Sequence, residues 1–250
     1  MATLTANWHR HLRPGWGLLV TIFLIIVTGL AGAVATPQKD APDSMILIPA
    51  GEFRMGSDAS SDETPHVVEV SSFYIDKTEV TQKAYREVSK RNPSDFKGDD
   101  LPVEQVTWYE ARDYCRKVGK RLPTEAEWEK ATRAGSTSTY FWGEEIDGAF
   151  AWYWDNSGRK THPVGQVKPN AAGLVDISGN VWEWVADHYA DNYYATSPPK
   201  DPKGPFSGKY RVIRGGSWRD FAEFLRASRR NYELPSGRFN HIGFRCASSS

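Results

Sequence analysis

Two carboxylates near the middle of the chain have a spacing that suits a hard cation. Asp176 and Glu183 lie on either side of a turn that contains Gly179. Carboxylate oxygens, together with main-chain carbonyls at Gly179 and Val181, are the ligands that calcium prefers in proteins. The alternative is a strand-ending turn in which Asp176 accepts local N–H groups and Glu183 faces solvent. Taken alone, the stretch favours this alternative, because Asp and Gly are common turn residues.

The two cysteines of the chain, Cys115 and Cys246, are candidates for a disulfide. An isolated pair in an oxidising compartment is typically bridged, and the alternative is a pair of buried thiols. A bridge would connect the middle of the chain to its last strand.

The N-terminal 35 residues have the pattern of an export signal. Arg10 and Arg13 precede an uncharged run over residues 15–35, which ends in the small residues Ala33 to Ala35. This pattern predicts cleavage after Ala35, and the alternative is an uncut anchor that spans the membrane through residues 15–35. Both alternatives place the rest of the chain outside the cytosol, in the periplasm, the extracellular space or a lumen.

The composition limits the partners and the number of domains. A formal net charge of zero gives no indication of the excess positive charge that binds nucleic acid or an anionic membrane surface. Residues 36–44 read as a linker, residues 45–247 as one domain and residues 248–250 as a frayed tail. Ten tryptophans indicate a loop-rich fold in which large rigid side chains fill gaps between short elements.

Helices early in the domain and short strands at both ends predict an α+β fold. Two capping boxes, Thr107 with Glu110 and Thr124 with Glu127, mark the starts of two helices. Cys115 falls on the inner face of the first of these helices. Strands are predicted over residues 45–49, 52–55, 67–75, 210–214 and 242–247.

Several motifs, taken together and in order, resemble the formylglycine-generating enzyme (sulfatase-modifying factor) family. The resemblance extends from about Met45 to Ala247. Its motifs are Ile48-Pro-Ala-Gly-Glu-Phe-Arg-Met-Gly-Ser57, Thr78-Glu-Val-Thr81, Pro102-Val-Glu-Gln-Val-Thr-Trp108, Lys120-Arg-Leu-Pro-Thr-Glu-Ala-Glu-Trp-Glu129, Gly179-Asn-Val-Trp-Glu-Trp184, Arg214-Gly-Gly-Ser-Trp218 and Gly243-Phe-Arg-Cys-Ala247.

The resemblance implies a variant of the C-type-lectin-like fold with little regular secondary structure. It also implies calcium bound by the side chains of Asp176 and Glu183 and by the carbonyls of Gly179 and Val181. Asn156 lies where the first ligand of a second calcium site is expected. The resemblance further implies that Cys115 and Cys246 form a disulfide.

One departure from the family pattern bears directly on activity. Formylglycine synthases of the family carry two cysteines after the Arg-Gly-Gly-Ser motif, where the thiolates bind copper and activate oxygen. Asp220 and Leu225 stand at those positions here. Neither copper binding nor formylglycine synthesis is therefore expected.

Part of the family's oxygen-binding pocket persists in this sequence. Ser217 and Trp182 match positions near that pocket, and Asp220, Glu223 and His241 are candidates for its mouth. A buried carboxylate at this place would suit a general base. The alternative is that both carboxylates pair with arginines of the 219–230 run on a solvated surface.

Two functions are compatible with these features. The first is a calcium-stabilised binding or assembly module whose groove holds a peptide, a protein partner or a small molecule. The second is an oxygen-dependent oxidoreductase acting on a peptide or a siderophore-like substrate. The second has a precedent, since a relative that matures the siderophore pyoverdine works in the periplasm without the cysteine pair.

Overall fold

The computed structural model of this protein describes residues 44–250. The predicted leader and all but the last residue of the predicted linker lie outside the described residues. Within residues 44–250, no helix has the length and apolar character that a membrane crossing requires.

Short strands and helices alternate with long loops in the described part of the chain. The strands are β1 (Met45–Ile48), β2 (Gly51–Met55), β3 (His66–Val70), β4 (Phe73–Asp76), β5 (Trp182–His188), β6 (Arg211–Arg214), β7 (Arg230–Glu233), β8 (Ile242–Gly243) and β9 (Ala247–Ser249). The α-helices are α1 (Gln82–Ser89), α2 (Trp108–Lys117) and α3 (Glu125–Arg133). Single 3-10 turns lie at Ser61–Glu63, Tyr193–Ala195 and Ala222–Leu225.

The strands form three sheets, which confirms the α+β prediction. Strand β4 lies between β1 and β9, strand β2 pairs with β3, and the largest sheet has the order β7-β6-β5-β8. All pairs are antiparallel except β5 with β8. Strand β5 is internal in the largest sheet, so both of its edges are hydrogen-bonded to neighbouring strands.

Both predicted capping boxes are present. At the start of α2, Thr107 Oγ1 accepts the Glu110 N–H at 3.2 Å, and Glu110 Oε2 accepts the Thr107 N–H at 3.0 Å. At the start of α3, Thr124 and Glu127 form the same reciprocal pair at 3.2 and 2.8 Å. These bonds satisfy N–H groups that the first turn of a helix leaves without partners.

Strand β5 separates two apolar clusters. Trp182 and Trp184 belong to the cluster that α2 covers, whereas Val185 belongs to the one that contains Trp128 of α3. Successive side chains of a strand point to opposite faces. Glu183 therefore points to the same side as Val185, and its Oε2 accepts the Trp128 Nε1–H.

The structure corrects two strand predictions. The predicted strand 67–75 is two strands that separate at Ser71 and Ser72, and the predicted strand 242–247 is β8 and β9 in different sheets. Between β8 and β9, Arg245 turns into the interior to meet Glu183. The residues predicted as a frayed tail also pair, since Ser248 and Ser249 lie opposite Tyr74 and Phe73 of β4.

The disulfide between Cys115 and Cys246 is present, which confirms the pairing. The two Cα atoms are 5.7 Å apart across a sequence separation of 131 residues. The bridge connects the inner face of α2 to the segment between β8 and β9, and both cysteines are fully buried.

Candidate functional site

A turn with left-handed backbone conformations leads into β5 and positions the residues around it. Asp176, Gly179 and Asn180 have φ values of 54°, 82° and 57°. A Cβ atom at Gly179 would lie 2.4 Å from the carbonyl oxygen of Trp152, so this position requires glycine. The Gly179 N–H donates to the Gly215 carbonyl at 2.9 Å, which ties the turn to the segment after β6.

Glu183 is buried and neutralised by Arg245. Arg245 Nε and Nη2 donate to Glu183 Oε1 at 2.9 and 2.8 Å, and Nε also lies 2.8 Å from Oε2. The remaining Arg245 donors bond to main-chain carbonyls of Asp76, Lys77 and Val175. The alternative in which Glu183 faces solvent is therefore wrong, since the residue is 1% exposed.

Two further carboxylates beside this pair keep buried oxygens without partners. Asp176 Oδ2 accepts the Gly165 N–H at 2.6 Å, and Glu79 Oε1 accepts an amide hydrogen of Asn180 at 3.1 Å. Asp176 Oδ1 and Glu79 Oε2 have no hydrogen-bond partner among residues 44–250. Burial raises the pKa of Asp176 to about 6, and burial and the charge of Asp176 raise the pKa of Glu79 well above its usual range.

The calcium ligand set fits this region only in part. The excess of carboxylates over guanidinium groups and the two unpartnered oxygens would accommodate a cation. However, Arg245 and Trp128 already occupy both oxygens of Glu183. No group of three or more His, Cys, Asp or Glu residues between positions 44 and 250 is arranged to hold a metal ion. Sequence reasoning missed Glu79, although it lies in the Thr78–Thr81 motif.

Asn156, the expected first ligand of a second calcium, holds a loop together. Its Oδ1 accepts the Tyr153 N–H at 2.8 Å, and its Nδ2 donates to the Ala151 carbonyl at 2.8 Å. Both the oxygen and the nitrogen of the Asn156 amide are therefore already hydrogen-bonded to main-chain groups of this loop.

Three of the predicted pocket residues form one hydrogen-bonded cluster. Asp220 Oδ2 accepts the Trp182 Nε1–H at 2.8 Å and also the hydroxyl of Ser217. Burial raises the pKa of Asp220, whereas these two donors lower it. Neither of these two donors contacts the other oxygen, Oδ1.

The structure places the other two candidates differently. Glu223 is exposed, and within residues 44–250 its side chain forms neither a hydrogen bond nor an ion pair. His241 is half-buried, and burial and the charge of Arg219 lower its pKa to about 4, so the imidazole is neutral at pH 7. The alternative that Asp220 pairs with an arginine on the surface is wrong, because its bonds go to Ser217 and Trp182.

Aromatic side chains lie beside the Asp220 cluster at the surface. The Trp154 N–H donates to the Asp220 carbonyl oxygen at 2.9 Å, and its ring centroid is 5.5 Å from that of Phe221. Trp154 is 37% exposed and Phe221 is 52% exposed. The guanidinium of Arg159 lies 4.9 Å from the centre of the Trp154 ring. A carboxylate acceptor thus stands next to an apolar surface.

The comparison of the sequence with known families gives one clear match. The Sulfatase-modifying factor enzyme 1-like domain matches residues 31–250, which is most of the chain. This protein belongs to the sulfatase-modifying factor family. The formylglycine-generating enzyme of Streptomyces coelicolor is 31% identical over 88% of this chain and 93% of its own length.

Other relatives of this sulfatase-modifying factor domain have different names and lengths. The serine/threonine-protein kinase pkn1 of Chlamydia pneumoniae is 36% identical over 93% of this chain, which spans 43% of the kinase. Among solved structures, Treponema denticola variable protein 1 has a TM-score of 0.79 at 34% identity and covers 82% of this chain and 95% of its own. PvdO of Pseudomonas aeruginosa has a TM-score of 0.72 at 31% identity, with coverages of 82% and 94%.

The family's thiol positions hold no thiol in this member. Asp220 is bonded to Ser217 and Trp182, and Leu225 is fully buried in a cluster with Tyr140 and Tyr153. Both cysteines of the sequence are joined in the disulfide. The chain therefore offers no thiolate pair for Cu(I) at this place.

Proposed function

We propose that this domain is a binding or assembly module of the sulfatase-modifying factor family that does not make formylglycine. The observation that carries the proposal is the Asp220 carboxylate at a family thiol position, held through Oδ2 by Ser217 and Trp182. Its Oδ1 remains to accept an N–H or O–H from a ligand. The adjacent Trp154 and Phe221 rings would cover an apolar part of the same ligand.

The ligand that fits is a peptide, a protein segment or a small molecule with a hydrogen-bond donor next to an apolar group. A displayed library of random peptides, selected on the purified protein, tests this directly. We expect Asp220→Asn to weaken the selected peptides about tenfold, which corresponds to a lost charge-assisted hydrogen bond. Glu223→Gln is the matched control, because it removes a nearby exposed carboxylate that has no hydrogen-bond partner among the described residues. The proposal fails if selection yields no binder, or if both variants affect binding equally.

A second candidate function is an oxygen-dependent oxidoreductase. The specific observation in its favour is that burial raises the pKa of Asp220, which makes the carboxylate a better proton acceptor near neutral pH. The substrate, a peptide or a siderophore-like compound, would lose two hydrogens in all. Asp220 would take one of them as a proton and pass it on, and dioxygen would accept the electron pair and both protons to form hydrogen peroxide. Oxygen uptake with repeated turnover, lost in Asp220→Asn and kept in Glu223→Gln, would replace the binding proposal with this one.

We also propose that calcium stabilises the domain through Asp176 and the carbonyls of Gly179 and Val181. The support is the buried Asp176 Oδ1, which has no partner among residues 44–250, whereas Glu183 would have to share its oxygens with Arg245. Calcium should raise the melting temperature of chelator-treated protein, and Asp176→Asn should abolish the increase. Identical melting curves with and without chelator would contradict the proposal that calcium stabilises the domain. Copper is not proposed.

The domain is proposed to act outside the cytosol. The support is the predicted leader over residues 1–35 and the disulfide between Cys115 and Cys246, which persists in oxidising compartments. Fractionation of cells that express the tagged full chain tests the location. The N-terminal residue of the exported form then distinguishes a cleaved leader from a membrane anchor through residues 15–35.

A further inference from the structure

A cavity that lies apart from the Asp220 cluster has a strongly cationic lining. Its volume is about 710 Å³, and its walls come from α2, from the ends of β5 and β6 and from the segments around Ser71 and Asp201. None of its lining residues belongs to the Asp220 cluster. Cavities of this size hold small organic molecules in other proteins.

The charged side chains of this cavity do not balance. Five are cationic, and two, Glu127 and Asp201, are anionic. Asp113, which lies outside the lining, also pairs with Arg112 through bonds of 2.9 and 2.7 Å. Glu127 is already paired with Arg121 through two bonds of 2.6 Å, and both oxygens of Asp201 accept hydrogen bonds from Ser71. The cationic residues are Arg112, Arg116, Arg121, Lys203 and Arg211.

Two of the guanidinium groups are held in place against one tryptophan. The Cζ atom of Arg211 lies 3.7 Å from the centre of the Trp108 ring, and that of Arg112 lies 5.3 Å from it. The Trp108 Nε1–H donates to the Val185 carbonyl at 2.7 Å, which fixes the ring. Because Arg112 is paired with Asp113, the charge of Arg211 is the one beside this ring that has no salt-bridge partner in the described part of the chain.

Unused donors remain in the same cavity. Arg211 Nη1 donates to the Ala186 carbonyl at 2.5 Å, whereas its Nη2 forms no hydrogen bond with the described residues. The side chain of Arg116, one helical turn after Arg112, forms no ion pair or hydrogen bond with any of residues 44–250. An oxyanion is the acceptor that suits guanidinium donors of this kind.

We propose that this cavity binds a small organic polyanion through Arg112, Arg116 and Arg211. Arginine donors arranged as a planar fork match carboxylate, phosphate and sulfate groups, which share this recognition chemistry. The side chains of Arg116 and Arg211 have no carboxylate partner among residues 44–250, so a ligand with two oxyanion groups would pair with both. A cavity of about 710 Å³ leaves room for an organic framework that joins these groups.

Isothermal titration of the full chain with inorganic pyrophosphate and, separately, with citrate tests the proposal. We expect at least one of the two to bind at low ionic strength and to bind more weakly as salt is added. The probe that binds better identifies the ligand as a phosphate or a carboxylate compound. Arg116→Gln should weaken that probe about tenfold, since it removes a charge-assisted hydrogen bond.

Lys117→Gln is the matched control. Lys117 follows Arg116 on α2, carries the same charge and is exposed, but it does not line the cavity. We expect its effect to be less than about twofold, as for a surface charge that does not touch the ligand. The proposal is overturned if neither probe binds, if Arg116→Gln leaves affinity unchanged, or if both variants weaken binding equally. Melting curves of both variants verify that the fold is intact.

Discussion

Glu104 provides a quantitative test of how burial controls the stability of this domain. The residue is fully buried, and its Oε1 accepts the Phe96 N–H at 2.9 Å. Its Oε2 has no hydrogen-bond partner within residues 44–250. Burial is the largest cause that raises the pKa of Glu104 from 4.5 to about 7, with a smaller contribution from Asp95, whereas backbone hydrogen bonds and Lys97 act in the opposite direction.

The sign of the pH dependence follows from this raised pKa. The folded protein holds a proton on Glu104 between about pH 4.5 and 7, where the unfolded chain has lost it. The stability that Glu104 contributes is therefore fully present below pH 4.5 and is lost as the pH rises to about 7. The full shift corresponds to about 3 kcal/mol, and we expect about 2 kcal/mol because the surroundings of the carboxylate rearrange when it ionises.

The perturbation is Glu104→Gln, which keeps the shape and the bond to Phe96 but removes the titration. Any constant cost of the amide cancels when the variant and the natural protein are compared across pH. Relative to the natural protein, the variant should gain about 2 kcal/mol in free energy of unfolding between about pH 4 and pH 8. Urea unfolding followed by circular dichroism measures this difference. Glu87→Gln, an exposed carboxylate on α1, is the control.

A difference between Glu104→Gln and the natural protein that stays constant across this pH range would refute the reasoning. So would a difference of the opposite sign, because it would require Glu104 to be stabilised in its charged form.

Three further predictions concern the scaffold. Replacing Cys115 and Cys246 by alanine should lower the free energy of unfolding by about 5 kcal/mol, as expected for a closed loop of 131 residues, and denaturant curves with and without reductant would measure it. Arg214 forms buried ion pairs with Glu125 and Glu129, and Arg214→Met should lower the free energy of unfolding in urea by about 3 kcal/mol because both glutamates lose a partner. A loss below about 1 kcal/mol would contradict a stabilising role of these ion pairs. Gly179→Ala should lower the melting temperature sharply, since its Cβ would clash with the Trp152 carbonyl, and an unchanged melting temperature would contradict the turn geometry.

Features that depend on neighbouring residues in the chain could be predicted from the sequence. The capping boxes at Thr107 and Thr124 were predicted correctly, because a helix start is decided by residues three positions apart. The cysteine pair and the family could also be predicted, since there were two thiols to join and an ordered set of motifs. The family resemblance, and no local pattern, suggested Ser217, Trp182 and Asp220 as pocket residues; the structure joins the three by hydrogen bonds, and their functional role stays a prediction.

Features that join distant residues were decided by the tertiary structure. The segment 242–247 reads as one strand, but the pairing of Arg245 with Glu183, 62 residues away, divides it between two sheets. The same pairing neutralises a carboxylate that the sequence assigned to calcium. No local sequence pattern predicts such a contact, because the ionisation of a buried side chain depends on the residues that pack against it.

The cationic cavity illustrates the same limit. Arg112 and Arg116 follow the predicted helix start at Thr107, and Arg211 lies in a predicted strand 95 residues after Arg116. Packing of α2 against the ends of β5 and β6 brings them to one cavity beside Trp108. The sequence by itself determined the starts of α2 and α3, the disulfide and the family. Only the tertiary structure decided which charges meet, because electrostatic energy depends on distance and burial and not on position along the chain.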